Sequence, residues 1–189
     1  MKRKNTIFTA VFSLFIILLI SCKNNNVYDE MPTGKELAVA YEKLLKQNNL
    51  VRDSSASFFD IGASFVIYPD NKVEQNQASV YITASQPNRG VCRYIYNMTT
   101  DKFDSYQLNS ADSLGVLFSR QIFPSFEQLD VVRGSLLRRK EVNHPQISNI
   151  RFYMNSLSIK PEIEVIVEDV ENPDSSQIYI SDINGNIIN

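Results

Sequence analysis

The chain has 189 residues, of which 43% are hydrophobic, and its formal net charge is -2. This balance lacks the net basic charge that is typical of nucleic-acid-binding domains, so we expect no nucleic-acid partner. With one histidine and two cysteines, the chain has few of the ligands that common metal sites use, and we expect neither a metal nor a cofactor.

The amino terminus has the layout of an export signal. It opens with the basic residues MKRK and continues with an apolar segment over residues 7–20, interrupted only by one threonine and one serine. This segment is shorter than the roughly 20 apolar residues of a membrane-spanning helix, and its length is typical of the hydrophobic region of a signal peptide.

The segment LISC at residues 19–22 resembles the lipobox of bacterial lipoproteins, in which an aliphatic, a variable and a small residue precede a cysteine. The resemblance implies cleavage after a signal peptide of residues 1–21 and palmitate-type acylation of Cys22. It also implies that the membrane is a partner, because two or three acyl chains hold a protein stably on a bilayer. The alternative is an ordinary secretory signal or an uncleaved anchor, with Cys22 incidental.

The residues after the cysteine bear on location. Lys23 stands where an aspartate would favour retention in the inner membrane of Gram-negative bacteria, so the resemblance implies an outer-membrane lipoprotein of the cell envelope. Residues 22–31 are mostly polar and form a predicted lipidated tether. At about 3.3 to 3.6 Å per extended residue, the tether reaches at most roughly 30 Å and keeps the following domain near the lipid surface.

The second cysteine, Cys92, has no partner for an intramolecular disulfide if Cys22 is acylated. It lies in the segment GVCRYIYN, which has the pattern of a strand. We interpret Cys92 as a buried, inert thiol. A reactive thiol is the alternative, and it would require an exposed, electropositive setting.

Two segments of the chain have matching sequences. PTGKELAVAYEKLLKQ begins at Pro32, and PSFEQLDVVRGSLLRR begins at Pro124. Each has apolar residues at helical spacing. In each, a threonine or serine is followed three residues later by Glu36 or Gln128, the spacing of a capping box. Each segment therefore predicts a helix.

After each predicted helix the apolar period changes to two, which indicates strands. Examples are residues 59–67 in the first half and residues 150–154 and 163–167 in the second. Asn184-Gly185 near the carboxyl terminus predicts a hairpin turn. We predict an α+β protein built as a tandem repeat of one helix followed by about four antiparallel strands. The predicted units are residues 32–108 and 124–189, joined by a connector over residues 109–123.

This layout resembles that of the small PepSY and beta-lactamase-inhibitor-protein-like modules of bacterial envelope proteins. The resemblance covers roughly Pro32 to Asn189 and includes no diagnostic motif. It implies a protein that binds other proteins through an open sheet face.

Three tyrosines are the candidate binding residues. Tyr81 shares a predicted strand face with Ser79 and Thr83, and Tyr94 shares one with Tyr96, each set opposite a more aliphatic strand face. Tyrosine offers apolar area with a polar tip, which suits contact with a protein or a glycan. The alternative is that a helix covers this face, so that the three tyrosines belong to the core.

No residue is predicted to be catalytic. Glu162 and Glu164 share a strand face and could act as paired carboxylates in acid–base chemistry, but a solvated outer face explains them better. His144, the only histidine, precedes a proline and is interpreted as a surface loop residue. Asp182 starts the segment DINGN, which lacks the spacing of a calcium loop and is interpreted as a turn.

We therefore expect a non-enzymatic, lipid-anchored envelope protein that binds or supports another envelope protein. An inhibitor or immunity-type lipoprotein that blocks an envelope enzyme is the first alternative. The second alternative is an envelope hydrolase that uses the acidic strand face.

Overall fold

The computed structural model describes residues 31–50, 56–66, 77–109, 115–137, 145–169 and 176–188. The predicted signal peptide, Cys22 and His144 lie outside the described residues. The chain from Pro32 to Asn189 forms one compact unit. Within the described ranges, no helix has the length and apolar character needed to cross a bilayer.

The described residues form two α-helices, one short 3-10 turn and seven strands. In chain order these are helix α1 Gly34–Gln47, strands β1 Ser57–Val66, β2 Gln77–Gln86, β3 Gly90–Asn97 and β4 Lys102–Gln107, the 3-10 turn Arg120–Ile122, helix α2 Phe126–Leu137, and strands β5 Pro145–Met154, β6 Pro161–Asp169 and β7 Gln177–Ser181.

All seven strands belong to one antiparallel sheet with the order β4-β3-β2-β1-β5-β6-β7. The predicted tandem repeat of one helix followed by about four antiparallel strands is therefore wrong: the protein is dominated by a single sheet. The two halves are joined where β1 pairs with β5, from Asp60 opposite Tyr153 to Ser64 opposite Asn149.

The apolar faces of β1 and β5 explain why these two strands pair. Ile61 lies opposite Phe152, and Ala63 lies opposite Ile150. All four side chains are buried. Pairing these strands covers two sheet edges that would otherwise have unpaired backbone groups, and it creates one continuous apolar surface for both helices.

Helices α1 and α2 pack against each other and against one face of this sheet. They contribute buried side chains at helical spacing, such as Leu37, Leu44, Leu129 and Leu136. Tyr41 of α1 contacts Phe123 and Phe126, and Phe123 contacts Phe152 of β5. The core is therefore a layer of aliphatic and aromatic side chains between the helix pair and the sheet.

The start of α1 is held against α2. The capping box predicted for α1 is confirmed, because Thr33 and Glu36 bond reciprocally to each other's backbone N–H groups. The Gly34 amide donates to Asp130 Oδ2 at 2.9 Å, and Arg133 Nη1 donates to the Pro32 carbonyl at 2.9 Å. The first bond satisfies an amide at the helix start that has no partner within the helix, and the second ties the residue before the cap to α2.

The start of α2 differs from the predicted capping box. Ser125 Oγ accepts a bond from the Gln128 amide at 3.1 Å, which is the expected cap. The Gln128 side chain instead donates to the Ile183 carbonyl at 3.0 Å. The second half of the box is therefore replaced by a tertiary contact with the turn after β7.

Candidate binding surface on the open sheet face

The strand register places side chains on two faces of the sheet. The face that carries Ile61, Ile82, Tyr96 and Phe152 lies against the helices. Lys43 of α1 bonds Tyr96, and Phe126 of α2 contacts Phe123, which in turn contacts Phe152. We call it the helix face. The opposite face carries neither α1 nor α2, and we call it the open face. Its side chains include Asp60, Tyr81, Thr83, Arg93, Tyr106, Arg151 and Glu164.

The three candidate tyrosines lie on different faces. Tyr94 lies opposite Ile82 and Tyr96 opposite Val80, so both are on the helix face, while Tyr81 is on the open face. All three side chains are buried. They do not together form an exposed surface, because the register of β3 against β2 separates them.

Tyr96 connects α1 to the β3–β4 hairpin. Its hydroxyl donates to Asp101 Oδ1 at 2.7 Å and accepts from Lys43 Nζ at 2.8 Å. Its ring stacks on Phe103 with centroids 4.6 Å apart. The hydrogen bonds from Lys43 and Tyr96 lower the pKa of the Asp101 carboxyl. The role of Tyr96 is therefore structural.

Tyr81 lies flat against the middle of the sheet. A Cβ atom on Gly62, its neighbour on β1, would lie only 2.5 Å from the Tyr81 hydroxyl oxygen, so the ring occupies the space that a side chain would need. The hydroxyl donates to Asn149 Oδ1 at 3.0 Å. Burial, and next the nearby charge of Asp60, raise the pKa of Tyr81 above its ordinary value.

Two arginines surround one buried carboxylate on the open face. Arg93 Nη2 donates to Asp60 Oδ2 at 3.0 Å, and Arg93 Nε donates to Thr83 Oγ1 at 2.9 Å. Arg151 Nη1 is 4.0 Å from the same Asp60 oxygen, and Arg151 Nη2 donates to Glu164 Oε2 at 3.0 Å. We call these five residues the arginine cluster.

Burial makes the arginine cluster a fixed arrangement. The Asp60 side chain is 1% exposed, and a buried charge is stable only when it is paired. Burial by itself would lower the pKa of Arg93, but the attraction of Asp60 raises it above its ordinary value. The bonds to Asp60 and Thr83 therefore hold the Arg93 guanidinium in position.

The outer surface of the arginine cluster is accessible. The Arg93 and Arg151 side chains are 28% and 31% exposed. Their Cζ atoms lie 4.9 Å from the Tyr81 ring centroid and 4.7 Å from the Tyr153 ring centroid. The two arginines are balanced by Asp60 and Glu164, so the cluster is close to neutral. Such a surface suits contact with a polypeptide better than capture of a free anion.

Glu162 and Glu164 bond different partners. Glu162 Oε2 accepts bonds from the Tyr153 hydroxyl at 2.8 Å and from Asn155 Nδ2 at 3.0 Å, and its side chain is buried. Burial, and next the bond to Glu162, raise the pKa of Tyr153. Glu164 bonds Arg151 as described above. Neither carboxylate therefore lies on the fully solvated face that the sequence suggested.

The remaining sequence candidates have simple environments. Cys92 is a free, half-buried thiol whose Sγ lies 3.6 Å from the Arg89 carbonyl oxygen. Asp182 Oδ1 accepts from the amides of Asn184 and Asn186, both at 2.9 Å, which confirms the predicted turn. In the part of the chain that the structure describes, no group of three or more His, Cys, Asp or Glu residues could hold a metal ion.

Sequence reasoning missed the arginine cluster as a unit. Asp60, Arg93 and Arg151 come from three strands that are far apart in the chain, and only the register brings them together. A weak signal was available, because each charge is flanked on both sides by apolar or aromatic residues. No protein-family model, no curated protein and no solved structure matches this chain.

Proposed function

We propose that this chain is a lipid-anchored protein of the bacterial cell envelope that binds another envelope protein through its open face. The anchor is acylated Cys22, and the LISC motif after a basic and apolar leader supports it. The lysine after Cys22 supports the outer membrane as the location. No catalytic role is proposed.

The arginine cluster is the observation that carries the binding role. Arginine and tyrosine are enriched where proteins contact one another, because each combines a flat apolar surface with polar edges. Arg93, Arg151, Tyr106 and Tyr153 bring these groups to one sheet face. Since Asp60 and Glu164 already hold both arginines in place, a partner would not have to order them on binding, which reduces the entropic cost of association.

The acidic strand face does not favour an enzyme. An envelope hydrolase would need Glu162 and Glu164 to line one pocket together with a third polar group. Glu162 is engaged by Tyr153 and Asn155, and Glu164 by Arg151. Both carboxylates have structural partners within the sheet.

Capture of partners from native envelopes tests the binding role. We would compare the acylated protein with Tyr106→Glu, which alters an exposed open-face residue beside Arg93, and with Val131→Glu, which alters an exposed residue of α2. The partner should be lost with Tyr106→Glu and retained with Val131→Glu. The reverse pattern would contradict binding through the open face.

The identity of a captured partner then separates the two binding roles. If the partner is an enzyme that loses activity at stoichiometric amounts of this protein, the inhibitor role applies. If its activity is unchanged, or if it is not an enzyme, the supporting role applies.

A further inference from the structure

The turn between β5 and β6 exposes two large aliphatic side chains. We call this turn, residues 155–160, the hairpin tip. Leu157 is 94% exposed and Ile159 is 67% exposed. Single exposed apolar residues are common in proteins, but here two of them lie in one turn.

The backbone of the hairpin tip is also unusual. Ile159 has a φ of 52°, in the left-handed region that side chains branched at Cβ strongly avoid. Glycine or asparagine usually occupies such turn positions. Ile159 therefore costs free energy twice, once in its backbone conformation and once in its contact with water. Local costs of this kind are expected at functional sites.

Hydrogen bonds within the hairpin tip order its backbone. The Ile159 amide donates to the Asn155 carbonyl and the Asn155 amide to the Lys160 carbonyl, both at 2.9 Å. Asn155 Oδ1 also accepts from the amides of Leu157 and Ser158 at 2.8 and 3.0 Å. The two aliphatic side chains are thus presented by an ordered turn.

The charge of the hairpin tip favours a lipid surface. Lys160 is its only charged residue, and it is exposed. The nearest acid along β6, Glu162, is buried and bonded to Tyr153 and Asn155. An aliphatic tip with one flanking cation matches an acyl layer covered by anionic headgroups.

We infer that the hairpin tip inserts Leu157 and Ile159 into the lipid surface to which Cys22 anchors the chain. This inference rests on the proposed function. The tether of residues 22–31 reaches at most roughly 30 Å when fully extended, so the domain remains within contact distance of the bilayer. Insertion at a second point fixes the orientation of the domain relative to the membrane, and with it the direction that the open face presents to a partner.

A single tryptophan tests the inference, because the natural sequence contains none. Leu157→Trp places the probe in the hairpin tip, and Val131→Trp places it at an exposed position of α2. Each full-length acylated variant would be reconstituted in vesicles of phosphatidylcholine and phosphatidylglycerol with brominated acyl chains. Bromine quenches tryptophan only where the two are in contact. We expect a blue-shifted, several-fold more strongly quenched emission for Leu157→Trp than for Val131→Trp.

Water-like, unquenched emission from Leu157→Trp in protein that floats with the vesicles would overturn the inference and leave the anchor intact. Equal quenching at both positions would overturn it as well. A blue shift that appears only after envelope proteins are added would assign the tip to a protein partner instead. Absence of acylation in the wild-type protein, measured by mass spectrometry, would instead overturn the proposed function.

A second variant separates insertion from folding. Ile159→Asn suits the left-handed backbone but replaces the aliphatic side chain, so the turn is kept while its apolar surface is reduced. Combined with Leu157→Trp, it should lower the quenching by brominated lipid without loss of folded structure in circular dichroism. Unchanged quenching would show that Ile159 takes no part in the contact.

Discussion

At the scale of single residues, Asp60 organises the open face. Its carboxylate is buried at the centre of the sheet and bonds Arg93 at 3.0 Å. The sequence alone did not reveal this role, because Asp60 takes a polar position in an alternating segment and such positions commonly face solvent. Burial of Asp60 depends on Arg93 and Arg151 reaching over β1 from both sides, and only the strand register reveals that arrangement.

Removing Arg93 should destabilise the fold strongly. Arg93→Met keeps most of the side-chain stem but leaves the buried Asp60 without its closest partner, which should lower the free energy of unfolding by about 3 kcal/mol. The control is Arg120→Met, which removes an arginine paired with Glu42 at a more exposed site and should cost less than about 1 kcal/mol. Urea denaturation measures both, and equal losses would contradict the role of Asp60.

Because the Tyr41 hydroxyl is buried, we expect the protein to lose stability in alkali. Burial is the main cause that raises the pKa of Tyr41 from its ordinary value of 10.0 to about 12. The folded state therefore favours the neutral phenol. This contribution is complete below pH 10 and is lost as the pH rises from 10 to 12, by about 3 kcal/mol in total. Tyr41→Phe should remove this part of the decline in urea midpoints between pH 10 and 12, and an unchanged decline would contradict the assignment.

Ile159 predicts a gain in stability from a single substitution. Ile159→Asn places a residue that tolerates left-handed backbone where the isoleucine now has a φ of 52°. The free energy of unfolding should rise by about 1 kcal/mol, measured by urea denaturation of the protein in detergent. A loss of stability would show that the isoleucine side chain supports the turn.

At the scale of elements, the close contact between α1 and α2 depends on Gly34, which has no side chain. A Cβ atom on Gly34 would lie 2.8 Å from the Glu127 Cα and from the Phe126 carbonyl oxygen. Both are backbone atoms, so they cannot turn aside. A Cβ atom on Gly134 of α2 would have no heavy atom within 4 Å apart from its chain neighbours and the backbone of its own helix.

Alanine substitutions at these two glycines should change the free energy of unfolding in opposite directions. Gly34→Ala forces the helices apart and should lower the free energy of unfolding by about 1 to 3 kcal/mol, although alanine favours helix. Gly134→Ala meets no obstruction and should raise it by up to about 1 kcal/mol. Thermal or urea unfolding distinguishes them, and a gain at both positions would contradict the close helix contact.

Helices and turns that depend on nearby residues could be predicted from the sequence. The pairing of each strand with its neighbours in the sheet could not. Thr33 and Glu36 predicted the start of α1, and Asn184-Gly185 predicted the last turn, because caps and turns depend on residues a few positions apart. The period-two patterns around Tyr81 and around Tyr94 and Tyr96 correctly predicted strands. It did not show which face of one strand aligns with which face of the next, since that depends on register.

At the scale of the whole molecule, the error in the predicted fold has the same origin. Alternation around Ile61 and around Phe152 shows that each strand has one apolar face, but it does not identify the strand beside it. The matching helical segments suggested two separate units. The structure instead pairs β1 with β5, because this covers two edges and gives both helices one apolar surface.

The anchor makes a prediction for the whole molecule. Cys22→Ala should abolish metabolic labelling with palmitate and release or mislocalise the protein, because the sulfur that would carry the lipid is absent. Cys92→Ala is the matched control and should leave labelling unchanged. Persistent labelling of Cys22→Ala would contradict the assignment.

The β1–β5 ladder also affects how the chain folds. β1 meets β2 soon after it is made, but its other neighbour begins only at Pro145. During synthesis the central strand therefore has an open edge until the carboxyl-terminal quarter of the polypeptide arrives, and contacts between such distant segments form slowly. An open edge of this kind invites pairing with other chains. A polypeptide that stops before β5 would accordingly yield aggregate instead of a stable first half.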